Sequence, residues 1–207
     1  MTVNQTLTVS GSTTTLTVKD LTETTGNFTA PATLNINGKL TLTAGTFTAG
    51  ANINIKGNWI NNGGAFTANS GLVTLNGGYQ TVTGDNTFYG LTISGSVSRT
   101  VTFTSGSTTS IANNGSLTLS GASGNLLTLQ SSSGSDWNLH VGTTGTTVSV
   151  SYVAVSHSNA KDFKQIVATS PTNVNQGNNT NWLFFADAGG SFNIDIQGLN
   201  FWGINIY

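Results

Sequence analysis

Phe28, Phe47 and Phe66 stand in near-copies of one phrase and recur every 19 residues. The copies are Gly26-Asn27-Phe28-Thr29-Ala30, Gly45-Thr46-Phe47-Thr48-Ala49 and Gly64-Ala65-Phe66-Thr67-Ala68. A fixed period near 20 among alternating Thr, Asn and aliphatic residues is the signature of a repeat architecture. A unit that short cannot bury its own apolar face, so neighbours must stack. Stacking makes a rod, and a rod has two ends that something must cover.

Alternation fills in the unit. Leu34 and Ile36 alternate with Thr33, Asn35 and Asn37, and Ile53 and Ile55 with Asn52, Asn54 and Lys56. Period two puts the apolar members on one face of a strand. Leu40 and Leu42 follow Gly38, Trp59 and Ile60 follow Gly57, and the phenylalanines mark a third strand. Three short strands in about 20 residues predict one turn of a parallel β-helix, with glycine at the sharp corners. A looser register runs on through Val73, Leu91, Val101, Leu117, Leu129, Leu139 and Val155. Roughly nine coils at about 4.8 Å each predict a rod ~45 Å tall. From Ser156 to Gln176, with Pro171 and no alternation, the expectation is a longer loop with at most one helical turn.

Charged residues are 6% of the 207 and the net charge is −1. That excludes the electrostatic footprint of a nucleic-acid binder. It also leaves little mutual repulsion between copies, which permits close self-association. Regularly placed β-branched and aromatic residues exclude disorder. Cysteine is absent, so there are no disulfides or thiolate metal sites. No apolar run reaches membrane-spanning length. Met1-Thr2-Val3-Asn4-Gln5 lacks the basic and apolar regions of a leader, so a secreted form with its leader removed is expected. The Thr-, Asn- and Gly-rich, lysine-poor surface predicts an extracellular or cell-surface location.

The run Gly57-Asn58-Trp59-Ile60-Asn61-Asn62-Gly63-Gly64-Ala65-Phe66, continued by Thr87-Phe88-Tyr89-Gly90-Leu91-Thr92-Ile93, resembles the β-strand-repeat proteins of prokaryotic cell surfaces. Gly177-Asn178-Asn179-Thr180-Asn181-Trp182-Leu183-Phe184 is similar to the phrase that closes such domains. The resemblance spans about residues 1–185. It implies an adhesin-like, right-handed parallel β-helix, shaped like the pectate lyases but without their catalytic residues. It further implies a surface-attached or matrix location.

The reading is therefore all-β: a single right-handed parallel β-helix (β-solenoid) of roughly 20-residue coils over 1–185, a linker over 186–191, and an apolar strand segment over 192–207. In that tail Phe192, Ile194 and Ile196 alternate with Asn193, Asp195 and Gln197. Leu199, Phe201, Trp202, Ile204 and Ile206 follow Gly198. Left in water, such a segment is an aggregation site. It either caps its own rod or adds as a donor strand to the next subunit. A non-closing contact of the second kind makes a filament. Val3, Leu7 and Val9 of the N-terminal strands offer the complementary edge.

Chemistry is sparse. Arg99, beside Ser98 and Thr100, is expected in a solvated turn, and Asp20 and Glu23 near Lys19 in a surface charge cluster. His140 lies four residues after Asp136, which in a strand places both on one face. His157, Ser158 and Asp162 permit only a weak Ser/His/Asp reading, with no nucleophile elbow. Thr22/Thr24, Thr41/Thr43 and Thr81/Thr83 suggest a threonine array of the kind that matches ice, interrupted by Ile60/Asn62. No catalytic, metal or cofactor residues are assigned. The function expected is a structural subunit of an extracellular filament, a head-to-tail homopolymer. A surface adhesin binding glycan through Trp59 or Tyr79 is the alternative. Ice binding and a polysaccharide-acting enzyme stand behind both.

Overall fold

A computed structural model describes residues 1–9 and 14–184. Among them there is no helix, and the named strands pair in all-parallel sheets. The first sheet has nine strands, in chain order Thr2–Val3, Leu21–Glu23, Leu40–Leu42, Trp59–Asn61, Tyr79–Thr83, Arg99–Phe103, Leu127–Ser131, Val153–Val155 and Val174–Asn175. The second also has nine, starting at Thr15–Val18, Thr33–Ile36, Asn52–Ile55 and Leu72–Leu75. The third stacks Leu7–Thr8, Asn27–Thr29, Thr46–Thr48 and Ala65–Thr67. The chain visits the sheets in rotation, so each circuit adds one strand to each wall. This is the stacking of a parallel β-solenoid.

Every circuit buries the positions that alternation marks. Leu16, Leu34, Ile53, Val73, Leu91 and Leu117 are register partners down one wall. From Leu34 onward they are essentially inaccessible. Each such side chain contributes about 1.5–3 kcal/mol on burial. The phenylalanines form a continuous stack: Phe28–Phe47 and Phe47–Phe66 ring centroids are each 5.5 Å apart, and Phe66–Phe88 are 5.7 Å apart. After Ala65–Thr67 the third wall is taken over by long strands, Asn86–Ser94 and Thr108–Ser120, that turn the corner unbroken. The register slips once at that corner, between Phe88 and Gly90. Circuits lengthen with it: Leu40 pairs Trp59, 19 residues on, whereas Phe103 pairs Ser131, 28 residues on.

Corners need glycine where coils touch. A Cβ on Gly57 would lie 2.4 Å from the Gly38 carbonyl, and Gly45, at φ +74°, would place one 2.0 Å from Gly26 O. Neither position tolerates a side chain.

Several expectations change. The stretch 156–176 is neither a loop nor helical; Ser158–Asn159, Ile166–Ala168 and Val174–Asn175 carry the column onward. Trp59 is fully buried, its indole N–H donating to Asn86 Oδ1 at 2.7 Å. It cannot serve as a sugar platform, whereas Tyr79 is 84% exposed. The threonine array is offset as well as broken: Ile60 pairs Thr41 on one side and Thr83, not Thr81, on the other.

Candidate functional site: the two ends of the column

Residues 1–9 and 15–18 form the first layer. Among the described residues Thr2–Val3, Leu7–Thr8 and Thr15–Val18 each pair on one side only, with Leu21–Glu23, Asn27–Thr29 and Thr33–Ile36. Each sheet thus presents an open edge here, with unpaired strand groups facing away from the column. The apolar side chains grade outward: Val3 is 3% exposed, Leu7 is 37% exposed, and Val9, Leu16 and Val18 are half-buried against the core. The layer is pinned by polar contacts. The N-terminal ammonium donates to Asp20 O at 2.6 Å, and Thr24 Oγ1 donates to Val3 O at 3.0 Å.

The other end is built differently. The register continues the buried positions Val153 and Val155 into Asn173 and Asn175, where valine would continue the core. Asn173 Oδ1 accepts from Val153 N at 3.0 Å, and its Nδ2 donates to Val150 O at 3.4 Å. Asn179 Oδ1 accepts from Ser158 N at 3.0 Å, while its Nδ2 reaches Val155 O and Asn175 Oδ1, both at 2.7 Å. Asn181 Nδ2 donates to Ala160 O at 2.9 Å and Phe163 O at 3.1 Å. Side-chain amides offer donors and acceptors together. Here they satisfy backbone groups that another coil would otherwise satisfy. Asparagine also takes the left-handed turns required, at Asn178 (φ +56°) and Asn181 (φ +60°). The asparagines thus cover part of this end, while Val174–Asn175 and Trp182–Phe184 remain the end strands of their sheets among the described residues.

Of the predicted assembly residues, the structure brings Val3, Leu7 and Val9 together on this first layer. Phe192, Ile194, Ile196, Leu199, Phe201, Trp202, Ile204 and Ile206 lie outside the described residues.

Elsewhere the polar residues regroup. Glu23 is not on the surface: it is 1% exposed and faces inward between Val3 and Leu42. Among the described residues neither carboxylate oxygen has a partner in good hydrogen-bond geometry, and the Gly26 amide is only a nearby donor. Burial pushes its carboxyl above the ordinary glutamate value, the Gly26 amide opposing. Arg99 is likewise interior at 3% exposure. It donates to Gln80 Oε1 at 2.5 Å and to Ser94 O, and burial pulls its guanidinium below the usual arginine value. Gln80 in turn donates to Ile55 O at 3.0 Å. His140 does not meet Asp136; it stacks on Phe163 with ring centroids 3.9 Å apart. Burial lowers its basicity, with Asp162 and Asp85 pulling the other way. Asp136 instead meets His157, Oδ1 to Nδ1 at 3.2 Å, and His157 Nε2 faces Asn178 Nδ2 at 3.1 Å. The pair sits in an open polar recess of about 450 Å³. Ser158 takes no part, because its Oγ accepts the Trp182 indole N–H at 3.0 Å. Among the described residues no three His, Cys, Asp or Glu gather as a metal site, and no helix is long and apolar enough to cross a membrane.

Comparison with known proteins finds no matching family model, no matching curated protein and no matching solved structure.

Proposed function

We propose that this chain is the structural subunit of an extracellular filament or matrix fibre. Right-handed solenoid rods of roughly 20-residue coils join head to tail, and the segment 192–207 of one subunit adds as a β-strand to the next. The right-handed sense follows the strong preference of parallel crossovers. The observation that carries the proposal is the inequality of the ends: among the described residues the first layer keeps apolar residues at its open edges, whereas the end strands Val174–Asn175 and Trp182–Phe184 at the other end lie among bonded asparagine amides. An open edge recruits strands, and main-chain hydrogen bonds supply most of the attraction. Two unlike surfaces joined head to tail along the column axis give an open filament when the rotation between subunits does not close a ring. The low charge leaves that growth unopposed.

Deletion of residues 187–207 tests it, read by electron microscopy and solution mass. The shortened chain is expected to stay folded and monomeric while the full chain forms fibres. Polymerisation of the shortened chain to the same extent would end the donor-strand reading.

A glycan-binding adhesin has two observations in its favour: the exposed Tyr79 ring and the recess of Asp136, His157 and Asn178. A glycan array without hits would remove it.

A further inference from the structure

The turn formed by residues 15–29 is not equally covered on its three walls. Thr2–Val3 covers Leu21–Glu23, and Leu7–Thr8 covers Asn27–Thr29. Nothing described covers Thr15–Val18, the end strand of its sheet. A layer beneath residues 15–29 is therefore complete on two walls and missing on the third.

Residues 193–207 carry the pattern of residues 15–29, displaced by a constant 178 positions. The positions of Leu16, Val18, Leu21, Glu23 and Phe28 correspond to Ile194, Ile196, Leu199, Phe201 and Ile206. All five face inward in the column, and all five are apolar in the tail. Outer-face Thr15 and Thr17 correspond to Asn193 and Asp195, both polar. The local phrase is closer still to the next strands of the same wall. Asn193-Ile194-Asp195-Ile196-Gln197-Gly198 matches Asn52-Ile53-Asn54-Ile55-Lys56-Gly57, strand and corner glycine together.

We infer that the acceptor for the tail is the open edge Thr15–Val18 of a second copy, with Asn193–Ile196 adding in parallel and Ile194 and Ile196 stacking beneath Leu16 and Val18. The inference rests on the donor-strand reading and names its edge, partner and register. Two facts point to a second copy. First, eight strand spacings separate the first and last strands of the nine-stranded wall that begins at Thr2, about 38 Å. The nine residues from Phe184 to Asn193 span at most ~32 Å when fully extended. The tail therefore falls short of its own first layer. Second, the end nearest to it presents Asn173, Asn175 and Asn179, whose amides are already engaged. On the wall that ends at Val174–Asn175 an added strand would find asparagine, not an apolar side chain, at the position that follows Val155.

In this register Thr17 and Asp195 are outer-face neighbours about 4.8 Å apart, within disulfide range. The chain has no cysteine, so Thr17→Cys and Asp195→Cys report on that pair alone. The two single variants are assembled together, oxidised and run without reductant, with fibre formation followed in parallel. Expected is a mixed disulfide dimer when both are present, and a ladder of multimers from the double variant. Fibres without the mixed disulfide would overturn this acceptor edge while leaving strand donation standing. Absence of fibres and cross-links in the parent chain and all variants would overturn both. A monomer closed by an intrachain disulfide would overturn the choice of a second copy.

Discussion

The two ends of this column solve one problem in opposite ways. A β-solenoid that stops leaves a layer of backbone groups and apolar side chains without a next coil. At the far end Asn175 follows Val155 in register, and the side-chain amides of Asn173, Asn179 and Asn181 bond backbone groups of the preceding coil. At the near end the apolar pattern runs to the last strand, with Leu16 and Val18 half-buried and the edge uncovered. In the proposed filament, polar satisfaction would end growth where apolar continuity would invite it. On the proposed filament reading, the residue type at the inward positions of the outermost coil would set the direction of assembly.

The comparison breaks most visibly if the asparagine cap is made apolar. Asn173→Val with Asn179→Val removes partners from the Val153 and Ser158 amides and the Val150 and Val155 carbonyls. Buried backbone groups left without partners cost about 1–3 kcal/mol each. The double variant is expected to lose at least ~3 kcal/mol in denaturant melts. On the background shortened at residue 187, it should also begin to associate end to end. A variant as stable and as monomeric as its parent would show that these amides do not terminate the column.

Much of the column was legible in the sequence because stacking repeats the same inward position in every coil. Phe28, Phe47 and Phe66 stack as their spacing requires, and Ile53 and Ile55 lie under Leu34 and Ile36 as their alternation requires. The interior charges were not read, although period two contained them. Glu23 is in phase with Leu21, and Arg99 with Val101 and Phe103, so both point inward. Residue type argued for the surface, and tertiary register won. The asparagine cap was beyond local pattern, because the amide and carbonyl partners of Asn173 and Asn179 lie 20 to 24 residues away. At the near end, alternation reaches Val3 and Leu7, which lie in the strands Thr2–Val3 and Leu7–Thr8. The open strand at Leu16 and Val18 became distinct only once the neighbouring strands showed what was already covered.

Glu23 sharpens the contrast from inside the near end. Replacing an unpartnered buried carboxyl by Leu removes a desolvation cost, and Leu21, Leu40 and Leu42 show that the wall accepts that shape. Glu23→Leu is expected to stabilise at pH 7 by about 1–3 kcal/mol. The sign with pH follows from the raised carboxyl. The folded chain holds its proton more tightly than the unfolded chain, so the parent loses stability as pH rises from the ordinary glutamate value through the folded one. It regains that stability on acidification. The advantage of Glu23→Leu should therefore shrink as pH falls, read by thermal melts from pH 7 to 4. An advantage that stays constant across that range would mean that the folded chain holds the Glu23 proton no more tightly than the unfolded chain.

The smallest effect is expected on the wall, and its smallness is informative. Tyr79 is the most exposed large apolar residue described, on an outer face midway along the first sheet. Its ring is in water before and after folding, so Tyr79→Ser should change stability by no more than ~0.5 kcal/mol. If the ends alone carry assembly, fibre yield and length should also match the parent, because strand addition at Thr15–Val18 takes place several coils away. Shortened fibres from this variant would mean that lateral contacts between rods share the assembly, and that the inequality of the ends sets only its direction.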